Sequence, residues 1–323
     1  MKSQLSLRAR PLRTALGALA LSAAALPAVA LAASGDPSPG APVPMTLHDR
    51  HLRYAQLLVA GGRLPRADAG RRVVLELAPA GHSWRGVSTA RVHSDGVYRV
   101  RATARSSGRV RVLLRAPART RAGGAAATDV PPRASRAQGL TVVARLAART
   151  RHVDVLSGHR ATVAGVLLPR RRGRIVRLEV ARHGRWRTLA LARTSGRGHF
   201  AAHLRAGRVG SSPLRVRFSG DRVNAGAAVR AGRLQVFRSA GASWYQLTGN
   251  HLACGGTMGP NTLGVANKTL PCGTPVTFRY RGRTVRVRVI DRGPYVGGRD
   301  WDLSGATARR LHFGGVGRVW STA

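Results

Sequence analysis

The chain has 323 residues, enough for two or three ordinary domains, and 43% of them are hydrophobic, so a packed core can form. Only 5% are aromatic while Gly and Pro are plentiful, which favours short strands and turns and argues against a fold of long helices. The formal net charge of +43 comes almost entirely from Arg, and it reflects either a coding preference for Arg or attraction to a polyanion.

Residues 1–32 have the pattern of a secretory signal peptide. Three arginines precede an apolar run from Leu16 to Leu31, and Ala30-Leu31-Ala32 fits a small-x-small cleavage site. The alternative is an uncleaved membrane anchor, for which the run is short and rich in Ala. No later segment is long and apolar enough to cross a bilayer. We therefore expect a protein that is secreted into the cell envelope and has no transmembrane anchor after cleavage.

Export changes the meaning of the positive charge. Nucleic acid is the usual partner of a chain with an isoelectric point near 12.0. An exported protein does not meet the chromosome, so we expect no nucleic-acid partner. Peptidoglycan and other anionic wall polymers are the polyanions that remain, and salt would weaken such an attraction.

A Pro-rich linker, residues 33–45, is followed by an internal duplication. The segment GGRLPRADAGRRVVLELA (61–78) aligns with AGVLLPRRRGRIVRLEVA (164–181), so that Glu76 corresponds to Glu179, 103 positions later. At an offset of 102, Trp84 corresponds to Trp186. The pattern predicts one repeat at 46–115 and a second at 140–238, joined by an Ala-, Arg- and Pro-rich linker at 116–139.

Each repeat is predicted to consist of short strands. Val73 to Leu77 and Val176 to Val180 are typical, and strands at such spacing with Gly turns indicate a β-sandwich. The repeats resemble bacterial immunoglobulin-like domains of surface proteins. Trp84 and Trp186 are interpreted as core anchors, with a platform for sugar stacking as the alternative.

From residue 241 the sequence pattern changes. Pro275 to Tyr280 is predicted to be a strand, and Thr284 to Ile290 alternates valines with arginines, as a half-buried strand does. Asp302 or Ser304 can cap a short helix that runs to Leu311. Val316 to Trp320 is predicted to be the last strand.

Four motifs in this module carry a family resemblance. They are Ser243-Trp244-Tyr245, Leu270-Pro271-Cys272-Gly273-Thr274, Val289-Ile290-Asp291-Arg292-Gly293-Pro294-Tyr295 and Asp302-Leu303-Ser304. Residues 242–320 resemble the rare lipoprotein A (RlpA) family of double-psi β-barrels and the barrel of expansins. The resemblance implies a six-stranded barrel with a glycan-binding groove, and characterised members are peptidoglycan lytic transglycosylases. The predicted fold is therefore all-β: two immunoglobulin-like sandwiches, then a six-stranded double-psi barrel with a short helix at 241–323, without a cofactor.

The resemblance also implies candidate catalytic residues. Asp291 matches an Asp linked to catalysis, and Asp302 matches an Asp that matters in expansin-type barrels. Glycosidic cleavage needs a proton donor and usually a second carboxylate. The alternatives are structural: Asp291 can be a buried carboxylate bonded to loop N–H groups, and Asp302 can be a helix cap.

Two positions depart from the catalytic members. Gly256 stands where they carry Glu, and Asn267 stands where they carry His. Asn cannot transfer a proton, although it can hydrogen-bond to sugar. The function is therefore either that of a lytic transglycosylase or that of a non-catalytic, expansin-like wall-binding or structural protein.

Four residues are predicted to bind glycan: Tyr245, Asn267, Arg292 and Tyr295. The two tyrosines can stack on sugar rings or belong to the core. Cys254 and Cys272, 18 positions apart, are predicted to form a disulfide in an exported chain, with two free thiols as the alternative. No metal site is expected, because two Cys without paired His are a poor ligand set.

Overall fold

The computed structural model describes residues 41–116 and 131–323. The predicted signal peptide at 1–32 lies outside these ranges, as do residues 33–40 and 117–130 of the two predicted linkers. The described part of the chain is all-β, as predicted. None of its helices has the length and apolar character needed to span a membrane.

The first repeat contains nine strands in two sheets. They are Thr46–Leu47 (β1), His51–Arg53 (β2), Leu57–Arg63 (β3), Arg72–Ala78 (β4), Arg85–Arg91 (β5), Val97–Thr103 (β6), Gly108–Leu114 (β7), Arg133–Ala134 (β8) and Gln138–Val143 (β9), with a 3₁₀ helix at Arg66–Asp68. One sheet has the order β1-β3-β6. The other runs β5-β4-β7-β9, with β8 beside β7 and β2 parallel to β9. Side chains from both sheets share one core.

The second repeat has the same arrangement, except that its described residues contain no counterpart of β8. Its strands are Arg145–Ala148 (β10), His152–Leu156 (β11), Arg160–Leu168 (β12), Ile175–Arg182 (β13), Arg185–Arg193 (β14), His199–Arg205 (β15), Gly210–Gly220 (β16) and Ala225–Tyr245 (β17). The sheets run β10-β12-β15 and β14-β13-β16-β17, with β11 parallel to β17.

The two segments that align in sequence also share local structure. A β-bulge interrupts the β4–β5 ladder between Leu75 and Glu76, and its counterpart interrupts the β13–β14 ladder between Leu178 and Glu179. Tyr98 and its counterpart Phe200 are both buried in the core of their repeat. The two segments therefore share pairing, register shifts and core positions.

The predicted linker at 116–139 extends too far. Its last residues form β8 and the start of β9, which pair with β7 of the first repeat. Leu140 and Val142, predicted to start the second repeat, are buried in the core of the first. The last strand of the first repeat therefore follows the linker in sequence. The residues just before this strand are polar and have no hydrophobic periodicity that would predict it.

The prediction that the two tryptophans anchor the cores is wrong. Trp186 is 37% exposed, and the Arg215 guanidinium lies 4.1 Å from its ring centroid. Arg111 lies 4.3 Å from the ring centroid of Trp84 in the same way. Glu179 accepts from Arg215 at 2.6 Å, and Glu76 accepts from Arg111 at 2.7 Å. Each tryptophan is therefore part of a Glu–Arg–Trp cluster outside the core, duplicated with the repeat.

No linker separates the second repeat from the C-terminal module. Strand β17 is 21 residues long, and it pairs with β16 in the repeat and with two strands of the module. Asp154 on β11 accepts hydrogen bonds from Gln235 at 3.0 Å and from Arg279 of the module at 2.6 Å. The module is thus joined to the repeat by a shared strand and by an ion pair.

The C-terminal module contains the end of β17, five further strands and one helix. They are Val265–Ala266 (β18), Pro275–Tyr280 (β19), Arg283–Asp291 (β20), Trp301–Ser304 (β21), Gly305–Leu311 (α1) and Gly317–Ser321 (β22). The pairings run β17-β22-β19-β20-β18-β21 and return from β21 to β17. Val285, Val287 and Val289 face the core, which confirms the alternation predicted for β20. The predicted helix and last strand are also confirmed.

Replacing Asp154 should destabilise the junction between repeat and module. We expect Asp154→Ala to lower the free energy of unfolding by about 2 kcal/mol, because Arg279 and Gln235 lose a half-buried charged partner. Denaturant titration followed by tryptophan fluorescence measures the change. Asp154→Asn keeps an acceptor for Gln235 and should lose less. Equal stability of Asp154→Ala and the parent chain would contradict a stabilising role for the ion pair.

Candidate functional site

The strand pairings bring the two candidate carboxylates to one region. Ala266 on β18 pairs with Asp291 on β20 and, on its other side, with Asp302 on β21. Neighbouring strands are about 4.8 Å apart, so the two Asp backbones lie roughly 10 Å from each other across β18. The two-residue strand β18 therefore positions Asp291 and Asp302, which are both distant from it in sequence.

Asp291 is held by three hydrogen-bond donors. Its Oδ1 accepts from the backbone N–H of Ala253 at 2.9 Å and from that of Arg292 at 2.8 Å. Its Oδ2 accepts from the Tyr245 hydroxyl at 3.1 Å. The carboxylate is half-buried, so it is oriented by the protein while part of it remains open to solvent. The predicted contact with loop N–H groups is thus present, in addition to a contact with a side chain.

Tyr245 is placed by β17 between the two carboxylates. Burial raises the pKa of its hydroxyl well above the ordinary value, and the negative charges of Asp291 and Asp302 act in the same direction. The hydroxyl therefore stays protonated and can donate to Asp291. The residue is half-buried, so it belongs neither fully to the core nor to the surface.

Asp302 lies on the neighbouring strand and is not a helix cap. Ser304 is the N-cap of α1, where its hydroxyl accepts from the N–H of Thr307, so of the two predicted caps Ser304 is confirmed. The Asp302 Oδ1 accepts from the Ser243 hydroxyl at 2.9 Å. Burial raises the pKa of the Asp302 carboxyl, and nearby Asp291 adds to this rise, whereas Ser243 and Arg299 act against it.

Asn267 and Arg292 are committed to the loop beside the site. The Asn267 Oδ1 accepts from the N–H groups of Thr269 and Leu270, and its Nδ2 donates to the Asp300 carbonyl at 3.1 Å. The Arg292 guanidinium donates to the carbonyls of Asn267 and Leu270, at 3.3 and 3.0 Å. Both predicted glycan-binding side chains thus already hold the backbone of residues 267–270.

The predicted disulfide is present. Cys254 and Cys272 are bonded, with their Cα atoms 5.5 Å apart. The bond joins the loop that contributes the Ala253 N–H to the loop that Arg292 holds, and the Arg292 Nη2 lies 3.1 Å from the Cys272 sulfur. Gly256, two residues after Cys254, has a φ of +82°, and open space surrounds the position of a Cβ. Space exists there for a longer side chain, at the cost of a strained backbone.

Two aromatic residues close in sequence to the site residues are exposed. Tyr295 is 82% exposed, so it is not a core residue. Trp244 is 45% exposed, and because it alternates with Ser243 and Tyr245 along β17 it lies on the opposite face of the strand. Ser243 was not predicted as a site residue. The Ser-Trp-Tyr motif contained a usable signal, since residues two apart on a strand share a face.

The arrangement pairs a protonated tyrosine with two carboxylates in different settings. Asp302 is the one whose pKa is raised by burial, whereas Asp291 is surrounded by donors. A carboxyl group with a raised pKa is suited to giving a proton, and a carboxylate held by three donors presents a fixed hydrogen-bond acceptor. In the described residues, no three His, Cys, Asp or Glu side chains are grouped so as to hold a metal ion.

The raised pKa of Asp302 predicts a pH-dependent effect of Asp302→Asn on stability. Between the ordinary value of 3.8 and the raised value, the folded chain binds more protons than the unfolded chain, so wild-type stability falls as pH rises through this window. Asn does not titrate but can still accept from Ser243. We expect the free energy of unfolding of Asp302→Asn to exceed that of the parent at pH 7 and to match it more closely below pH 3.8. A difference that is the same at both pH values would contradict burial of the charge as its cause.

The C-terminal module is similar in sequence to known proteins. A family model described as lytic transglycolase matches residues 238–319. A probable endolytic peptidoglycan transglycosylase RlpA of Synechocystis is 40% identical over 108 residues, 29% of this chain and 34% of the relative. The endolytic peptidoglycan transglycosylase RlpA of Yersinia pestis is 48% identical over 66 residues, 20% of this chain and 18% of the relative. The chain thus spans about a third or less of the length of these relatives. Residues 238–319 form an RlpA-like double-psi β-barrel domain.

Proposed function

We propose that the C-terminal domain binds glycan strands of peptidoglycan and cleaves them as a lytic transglycosylase, with Asp291 and Asp302 as the proton-transfer groups. The observation that carries the proposal is their position on either side of Ala266, with the Tyr245 hydroxyl donating to Asp291. The names of the RlpA relatives support the substrate class.

The reaction needs one group that gives a proton and one that takes a proton. In a lytic transglycosylase, a hydroxyl of the muramic acid attacks its own anomeric carbon, so no water is added. Asp302, whose pKa is raised, is suited to protonate the leaving glycosidic oxygen. Asp291 is suited to accept the proton of the attacking hydroxyl, and Tyr245 fixes its orientation.

Substrate binding is assigned to the open side of the site. Tyr295 offers an exposed ring on which a sugar can stack. Arg292 and Asn267 contribute by holding the backbone of residues 267–270 beside the site. Tyr245 both contacts the sugar and orients a site residue, because it is half-buried and hydrogen-bonded to Asp291.

A second candidate function is non-catalytic binding, as in an expansin-like wall protein. It is favoured by the absence of two groups that catalytic family members carry, since Gly256 has no side chain and the Asn267 amide, which cannot transfer a proton, is bonded to backbone groups. In this case the domain binds the glycan without releasing products.

The other parts of the chain are consistent with a protein of the cell wall. We propose that the two repeats are immunoglobulin-like sandwiches that act as a basic spacer, and that the ring of pairings at 238–321 is a six-stranded barrel. We also propose that residues 1–32 are a cleaved signal peptide and that the protein is held in the envelope by anionic wall polymers.

Cleavage is tested with glycan strands stripped of their stem peptides. We expect the full chain to release 1,6-anhydromuramyl products, and Asp291→Asn to lower the rate at least a hundredfold, because general acid–base catalysis is worth about that much. Asp300→Asn is the matched control, since Asp300 lies in the same domain but binds Arg238 and the Gly241 N–H. Mass spectrometry identifies the products. Binding without any product would reject catalysis and leave the non-catalytic function.

Sugar stacking is tested at the exposed aromatic residues. We expect Tyr295→Ala to weaken binding to the same strands about five- to tenfold, as loss of one aromatic contact does. Trp244→Ala should leave the affinity within twofold, because Trp244 lies on the other face of β17. Sedimentation of the chain with insoluble peptidoglycan measures both. Equal losses for the two variants would argue against the assigned groove.

A further inference from the structure

A cleft lies between the two repeats, and none of its lining residues belongs to the barrel. Its volume is about 750 Å³. The first repeat contributes the turn between β4 and β5, residues 79–85, together with Arg105 and Ser106. The second repeat contributes Pro169, Arg171 and the segment Arg222–Val223.

Hydrogen bonds across the floor fix the two sides of the cleft. The N–H of Ser107 donates to the Val223 carbonyl at 2.7 Å. Asn224 is fully buried, and its Nδ2 donates to the carbonyls of Arg105 and Val142, at 3.1 and 3.3 Å. The cleft is therefore formed in the folded chain and needs no rearrangement to open.

The walls of the cleft are positively charged. Four arginines line it, Arg85, Arg105, Arg171 and Arg222, and all are exposed. In the described part of the chain, none of the four forms an ion pair, and no Asp or Glu is among the lining residues. Charges that converge on a concave surface without partners attract an anion more strongly than dispersed ones.

One aromatic ring in the cleft suits a sugar. Trp84 lines the cleft, and its ring is held in place by Arg111, which Glu76 binds in turn. Ser106 also lines the cleft and is only 7% exposed, and its hydroxyl has no hydrogen-bond partner among the described residues. The Ser106 Oγ is itself closed to solvent, so this residue bounds the cleft and offers no contact to a ligand.

We propose that this cleft binds an acidic glycan, whose carboxylate or phosphate groups pair with the arginines while one sugar ring lies against Trp84. The positive charge of the chain predicts attraction to anionic polymers. This cleft is a specific place for that attraction, outside the barrel. A single aromatic ring fits one sugar better than a run of bases, since single-stranded nucleic acid is bound by successive aromatic platforms.

The charge component is tested by paired variants of the full chain. Arg171→Ala/Arg222→Ala removes two cleft charges, and Arg187→Ala/Arg217→Ala removes two exposed charges that do not line the cleft. The probes are oligogalacturonate, which carries carboxylates, phosphorylated dextran and neutral dextran, compared by calorimetry at fixed ionic strength. We expect the cleft pair to weaken binding of at least one acidic glycan tenfold or more and the control pair less than twofold. Equal losses in the two pairs would overturn the proposal, because net charge alone would then explain binding.

The aromatic component is tested by Trp84→Ala beside its repeat counterpart Trp186→Ala. Each ring is stacked under an arginine, but only Trp84 lines the cleft. We expect Trp84→Ala alone to weaken binding about fivefold. The preferred acidic probe distinguishes a carboxylate from a phosphate ligand. Equal affinity for neutral dextran, or tighter binding of a single-stranded oligonucleotide, would overturn the proposal. Asp291→Asn should bind the acidic probe unchanged, so failure of the barrel's proposed activity leaves this result standing.

Discussion

The hydrogen-bond ladder of β17 is the feature on which the rest of the structure depends. Its first part pairs with β16 and with β11, and its last part pairs with β22 and β21. One strand therefore completes the sheet of the second repeat and closes the ring of the barrel. It also places Ser243 and Tyr245 beside the two carboxylates. A change of register in this strand would move those side chains to the opposite face, because side chains alternate along a strand.

The candidate site follows from a second constraint, the short strand β18. Ala266 has a small side chain and pairs on both sides, so Asp291 and Asp302 share its neighbourhood without touching. Their environments then differ. Asp302 loses solvent and its pKa rises, while Asp291 gains three donors from the loop, the backbone and Tyr245. The disulfide ties the loop that supplies the Ala253 donor to the loop that Arg292 holds, so residues that do not contact Asp302 affect the geometry of its partner.

Much of the fold could be predicted from local pattern, and the exceptions have physical causes. Alternating valines predicted β20 because one face of this strand packs in the core and the other is exposed to water. The disulfide was predicted from the expected export of the chain and from the spacing of the two Cys. The end of the first repeat was missed because β9 follows a long interruption and pairs with distant strands. The prediction for the tryptophans was wrong because an equivalent position in two repeats does not distinguish a core residue from a surface residue. The structure shows instead that an arginine stacks on each ring. The commitment of Asn267 to backbone groups depends on a loop conformation that no periodicity encodes.

The arginines of the repeats fall into two groups with different physical roles. Arg111, Arg174 and Arg215 each bind a carboxylate and stack on an aromatic ring, so their charge is neutralised locally and their main effect is on the fold. The cleft arginines have no such carboxylate, so their field reaches solvent. A coding preference for Arg would supply both groups, but it would not gather unpaired members around a tryptophan. Whether an arginine is paired with a carboxylate therefore matters more than the number of arginines. Paired arginines stabilise the repeats, and unpaired arginines are available to a ligand.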